Sequence, residues 1–225
     1  MRTRNLLLSL ATVATIAGTW TAANAKAPGS STSLRYEITV TNVTRGQILG
    51  PIAAASHGPG YSLFELGQPS SAGLAHMAEE GDPSMLLGEM TMHSEVFSAQ
   101  TNGAVTMPGG SATVTIVADS DRSYLSLGGM LVSTNDGFIA LRNIPAPTGT
   151  DTYLARVYDA GSEFNSEDCN YIPGPPCGAA GMHDPAMAEG YVRIHEGVHG
   201  VASLAAEEFD WRGEAVQVSI RRLNP

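Results

Sequence analysis

Positive charge is scarce in this sequence: 12 Lys plus Arg stand against 22 Asp plus Glu in 225 residues, a formal charge of −10. A basic excess is what draws a protein to phosphate backbones or anionic lipid, so general nucleic-acid binding is not expected. Long apolar runs are also missing. The one apolar stretch, residues 6–18, is too short and too weakly apolar for a membrane span of about 20 residues, and nothing later in the chain is a candidate. There is no G-x-S-x-G elbow, no G-K-[ST] phosphate loop and no free Cys paired with His. Neither an internal repeat nor a low-complexity tract occurs. What the chain does have is 43% hydrophobic residues, spread in short runs over its whole length. That supports one globular domain with a sizeable core and argues against disorder.

Arg2 and Arg4 precede the apolar stretch, and Ala23-Asn24-Ala25 has the small-x-small form of a cleavage site, so residues 1–25 read as a secretory signal peptide. Its removal leaves 225 − 25 = 200 residues. With ten basic against 22 acidic side chains, the mature charge is −12. A secreted or periplasmic location is therefore expected. No Cys follows the cleavage site to carry a lipid anchor. In an oxidising compartment the two cysteines, Cys169 and Cys177, are expected to form a local disulfide around a Pro- and Gly-rich loop. A two-thiolate metal site would need further partners.

Residues 34–43 alternate with period two and are rich in β-branched side chains, which predicts a strand. Similar runs follow at 110–118, 123–132, 137–141, 152–158, 190–195 and 215–223, separated by turn signals such as Asn135-Asp136-Gly137. Many short strands with Gly- and Pro-rich connections predict an all-β domain over 34–223, a β-sandwich with one or two short helices packed on it. One such helix is expected over residues 70–80, capped by Ser and stopped by Gly81, with Leu74, Met77 and Ala78 on its packed face. His76 within it reads as a surface or packing residue.

His195-Glu196-Gly197-Val198-His199 satisfies the H-E-x-x-H pattern of zinc proteases, with Glu207, Glu208 or Glu214 as conceivable third ligands. That chemistry needs a helix to place both imidazoles on one face. Val192 and Ile194 instead alternate with Arg193 and His195, and Gly197 and Gly200 each disfavour a helix interior by about 1 kcal/mol relative to Ala. A strand followed by a turn is the expected conformation. Asp119-Ser120-Asp121 fails as an EF-hand, because Tyr124 stands where the loop needs Gly, and reads as a solvated turn.

Two acidic loops bound strands more suggestively: Asn135-Asp136-Gly137, and Asp159-Ala160-Gly161-Ser162-Glu163 after residues 153–158. If those strand ends meet at one pole, Asp136, Asp159 and Glu163 supply hard oxygens in the flexible arrangement that Ca²⁺ favours. Spacing alone leaves open that they are unrelated acids in turns, where Asp is common for its own hydrogen-bonding reasons.

Residues 73–82, 130–138 and 158–163, and the run from Gly190 through His195 to Asp210-Trp211-Arg212, together resemble the spondin N-terminal domain family. The resemblance is closest to its stand-alone secreted bacterial members, and the Asp-Ala-Gly-Ser-Glu loop is its most specific element. It implies a β-sandwich with a calcium site at one end, whose ligand positions fall on Asp136, Asp159 and Glu163. Two departures stand out: Gly137-Phe138 replaces a Trp directly after the Asp, and Glu163 replaces the usual Asp. A His-x-Gly-x-His stretch, in which the residue after the first His need not be acidic, is also part of the resemblance. The expected function is a non-enzymatic calcium-binding adhesion or surface module whose partner is an extracellular protein or glycan. Alternatives are a secreted zinc hydrolase using His195, Glu196 and His199, and a carbohydrate-binding module using loops such as Gly58-Pro59-Gly60-Tyr61.

Overall fold

The computed structural model describes residues 33–120 and 123–223, so the expected signal peptide over 1–25 and Asp121 lie outside the described residues. β1 (Leu34–Asn42) alternates buried and less buried positions as its period-two sequence requires. It lies between β4 (Ser111–Ala118) and β9 (Glu214–Arg222). β9 also pairs with β7 (Thr150–Asp159), which pairs with β6 (Gly137–Pro145), then β5 (Tyr124–Met130), β2 (Ala53–His57) and β3 (Val96–Thr101). A two-residue β8 (Arg193–Ile194) adds to β7. Every pairing is antiparallel, and the sheet runs β3-β2-β5-β6-β7-β9-β1-β4.

The expected all-β sandwich is thus built from one sheet curled back on itself. Its two ends nearly meet, and the Ser56 hydroxyl of β2 donates to the Val117 carbonyl of β4. Such curling limits the open edges that would otherwise template association. Alternate residues of the central strands enter two different cores. Ala54 and Ile139 join Tyr36, Ile38, Ile116, Leu127 and Val218 inside the curl. Ala53, Ala55, Phe138 and Ala140 face outward onto a second core with Leu74, Met77 and Met90.

That outer core is roofed by α1 (Ala72–Glu80) and α2 (Ser84–Met92). α1 forms where the sequence places its punctuation. The Ser71 side chain accepts from Leu74 N, and Gly81 closes the helix in the left-handed region at φ 71°. Leu74, Met77 and Ala78 are buried, as their spacing predicts. A single turn, α3 (Ala206–Phe209), seats Phe209 in a third cluster with Ile172, Val198 and Leu204.

The strand expected over 190–195 contracts to Arg193–Ile194, because Gly190 is at φ 80° and Gly197 at φ 103°, conformations outside any strand. Cys169 and Cys177 are bonded. Their loop braces the segment before β6: Gly174 N donates to Val132 O at 2.8 Å and Ser133 Oγ to Pro175 O at 2.6 Å.

Candidate metal centre

The register of β6 on β7 pairs Gly137 with Asp159, so the loop entering β6 and the loop leaving β7 emerge side by side. The first loop is closed by Thr134, whose hydroxyl donates to Leu131 O and accepts from Gly137 N at 2.9 Å. In the second, Asp159 Oδ1 accepts from Gly161 N at 2.7 Å, and Gly161 turns the chain at φ 66°. A Cβ there would lie 2.2 Å from Tyr191 O and 2.5 Å from Tyr191 N, so no other residue fits without backbone movement. The two loops are then joined: Asp136 Oδ2 accepts from Ser162 N at 2.9 Å and from Glu163 N at 3.2 Å.

Asp136 and Asp159 are both fully buried. Burial pushes the Asp136 carboxyl well above its ordinary value, and the neighbouring Asp159 charge pushes it further. Burial also raises Asp159, opposed by Arg193, whose guanidinium lies 3.0 Å from Asp159 Oδ2. The Asn165 amide donates to that same oxygen. Asp136 Oδ1 is buried and accepts no hydrogen bond. Desolvating such an oxygen without a partner costs about 1–3 kcal/mol, more when it is charged.

Glu163 is also buried, but its side chain takes a different direction. Its backbone N–H serves Asp136, while Oε1 accepts from Asp184 N at 2.7 Å and Oε2 lies 3.9 Å from His183 Nδ1. Burial again raises its carboxyl, with a further push from Glu79. The structure therefore brings the carboxylates of Asp136 and Asp159 together and ties Glu163 to them through its backbone.

A fourth acid joins the aspartates. Glu189 Oε1 accepts from Arg193 at 2.9 Å, its Oε2 is buried without a partner, and its charge raises both Asp136 and Asp159. Sequence reasoning missed Glu189 and Arg193. Their spacing suggests a helical i, i+4 pair, whereas they lie on a loop and a two-residue strand and meet the aspartates only through tertiary packing. Two carboxylate oxygens, Asp136 Oδ1 and Glu189 Oε2, are thus buried without a partner in the same charge cluster as Asp159. Among the described residues the one group of three acidic or imidazole ligand atoms lying within 4.8 Å of one another is Glu79, Glu163 and His183, so Asp136, Asp159 and Glu163 do not converge as a triad in this arrangement. A cavity of about 170 Å³ adjoins the charge cluster, lined by Asn135, Asn165, Glu189, Arg193 and His195.

The other sequence candidates resolve differently. His195 and His199 lie beyond the end of β8 in irregular chain, so the helix that would align them is not formed. His195 Nδ1 accepts from Gly197 N at 3.0 Å, Glu196 pairs with Arg193 at 2.9 Å, and His199 N donates to the Glu167 carboxylate. Burial lowers the His195 pKa to about 4, aided by the Arg193 charge. His76 lies 3.5 Å from Asp82. Tyr61 of the Gly-Pro-Gly-Tyr loop is half-buried, its ring packed edge-on against His57 at 4.9 Å.

The Spondin_N family model matches residues 43–158, from the end of β1 to the residue before Asp159. No curated protein matches the chain.

Proposed function

The chain belongs to the spondin N-terminal domain family, and from that premise we propose that it is a secreted or periplasmic, non-enzymatic calcium-binding module that attaches to an extracellular protein or glycan. The observation that carries this reading is Asp136: a carboxylate with no exposed surface, one oxygen left without a partner, and a second buried acid beside it. A folded protein tolerates such a cluster when a cation belongs there, because like charges in a desolvated site repel each other strongly.

Asp136 and Asp159 would provide the main oxygens, with the unpartnered Glu189 oxygen in the same charge cluster, and Glu163, the third acid of the family pattern, would join them only by turning its carboxylate away from Asp184 N. Bound Ca²⁺ would supply positive charge that offsets the repulsion between the Asp136 and Asp159 carboxylates at this pole. The protein's own share is orientation. Ser162 N and Glu163 N hold Asp136, Gly161 N and Asn165 hold Asp159, and the disulfide loop braces the segment before Asp136. Loops held in this way would present a fixed pole of the sandwich to a partner.

The test is a capture experiment with the purified chain immobilised and surface proteins and glycans of the producing cell in solution, run with calcium and again with chelator. Retention that depends on calcium and disappears with Asp159→Asn is expected. Equal retention under all three conditions would contradict the proposal.

A further inference from the structure

Away from the aspartate pair, three chain segments bring a different donor set together. Glu79 and Glu80 end α1, Glu163 lies in the loop after β7, and His183 sits in the long loop before β8. One ligand atom each from Glu79, Glu163 and His183 lies within 4.8 Å of the other two. We propose that Glu79, Glu163 and His183 form a second metal site, for a divalent transition ion of the Zn²⁺ type, with Glu80 beside it.

The arrangement of free and occupied oxygens supports this. Glu163, almost wholly buried, spends Oε1 on Asp184 N at 2.7 Å, and its Oε2 faces His183 Nδ1 at 3.9 Å. Glu80 spends Oε2 on Gly181 N at 2.9 Å and turns Oε1 toward His183 Nε2 at 3.4 Å. Glu79 Oε2 lies 3.1 Å from His183 Nδ1. The backbone on both sides of His183 is thus fastened by the same acids whose remaining oxygens face its ring. Such fastening is the orienting support that metal ligands require.

The end of α1 and the spacing of the ligand atoms both point to a cation. Glu79 and Glu80 occupy the last turn of α1, where no basic residue is present. The helix dipole presents partial negative charge there, so acids are unfavourable without a compensating positive charge. The spacing also suits a small ion. Metal bonds of about 2.0–2.1 Å at tetrahedral angles separate ligand atoms by about 3.3 Å, and the 3.1 and 3.9 Å contacts of Nδ1 bracket that value. An imidazole with two carboxylates is a donor set for zinc and its neighbours, whereas Ca²⁺ takes oxygen ligands. The side chain of His183 is half exposed, leaving a fourth position open to water.

Because Glu163 is common to this site and to the calcium reading, the test turns on Glu79 and His183. Zn²⁺ is titrated calorimetrically into the purified, metal-free full chain without calcium. One Zn²⁺ per chain is expected, and His183→Ala and Glu79→Gln should each weaken it by at least about tenfold, the lower bound even for supporting residues of metal sites. Asp136→Asn and His199→Ala should leave it within about threefold. Co²⁺ in place of zinc should give visible absorption bands that vanish in His183→Ala, a readout that does not depend on stability. Absence of zinc binding up to millimolar concentration would overturn the proposal, as would zinc that survives His183→Ala and disappears in His199→Ala. Zinc lost in His183→Ala while calcium binding persists would support the second site and separate its fate from that of the calcium site.

Discussion

Replacing Asp136 with Asn should make the metal-free protein more stable while removing its response to calcium. Asp136 Oδ2 accepts two backbone N–H groups, at 2.9 and 3.2 Å, and the Asn carbonyl can keep both. The amide nitrogen then occupies the position of Oδ1, which has no partner. It brings a donor to a place surrounded by Asp159 and Glu189, both of which raise the Asp136 carboxyl. Two unit charges 4 Å apart repel by about 4 kcal/mol at an effective dielectric of 20. In the native protein Arg193, 3.0 Å from Asp159, offsets part of this, so a net gain of about 1–2 kcal/mol at pH 7 is expected. For a domain of this size that raises the unfolding temperature by about 2–8 °C. The assay is thermal unfolding by circular dichroism in chelator, repeated with calcium. A variant less stable than the parent in chelator would refute the reasoning, as would one that still gains stability from calcium.

Gly161→Ala should destabilise by at least about 2 kcal/mol, because it combines a left-handed φ with contact on the Tyr191 backbone; an unchanged denaturant midpoint would contradict this. Reducing the Cys169–Cys177 bond should lower stability by about 2–3 kcal/mol at most, since the closed loop is short, as read from denaturant midpoints with and without reductant. His195 has a folded pKa of about 4 against an ordinary 6.5, so the unfolded chain binds the extra proton between those values and stability falls as pH drops through that window. At pH 4.5 the parent should have lost about 2–3 kcal/mol more than His195→Gln, relative to pH 7. Equal losses in the two proteins would show that the imidazole does not titrate as its burial implies.

The strands β1 and β4 and the first helix were legible because each carries a local signal. β1 and β4 alternate strictly, and α1 has Ser71 and Gly81 at its ends. β2 gave no such signal: Ala53-Ala54-Ala55-Ser56-His57 is buried on both faces, so nothing polar marks an outer side. α2 was equally silent, since Pro83 precedes it and no side chain caps it. At the site, strand-end loops located Asp136 and Asp159, and the β6 to β7 register placed them together. The direction of the Glu163 carboxylate was not readable, because it is fixed by Asp184, 21 residues further on. Glu189 and His183 were hidden for the same reason: a loop with no period of its own carries them to the site.

The most direct measurement is calcium titration of the metal-free protein by calorimetry, paired with thermal unfolding. One Ca²⁺ per chain is expected, lost in Asp159→Asn. At a hundred times the dissociation constant, the linkage gain of about 2.7 kcal/mol corresponds to a rise in unfolding temperature of about 5–11 °C. No binding up to millimolar calcium together with no thermal shift would contradict the central claim, as would binding that survives loss of both Asp136 and Asp159.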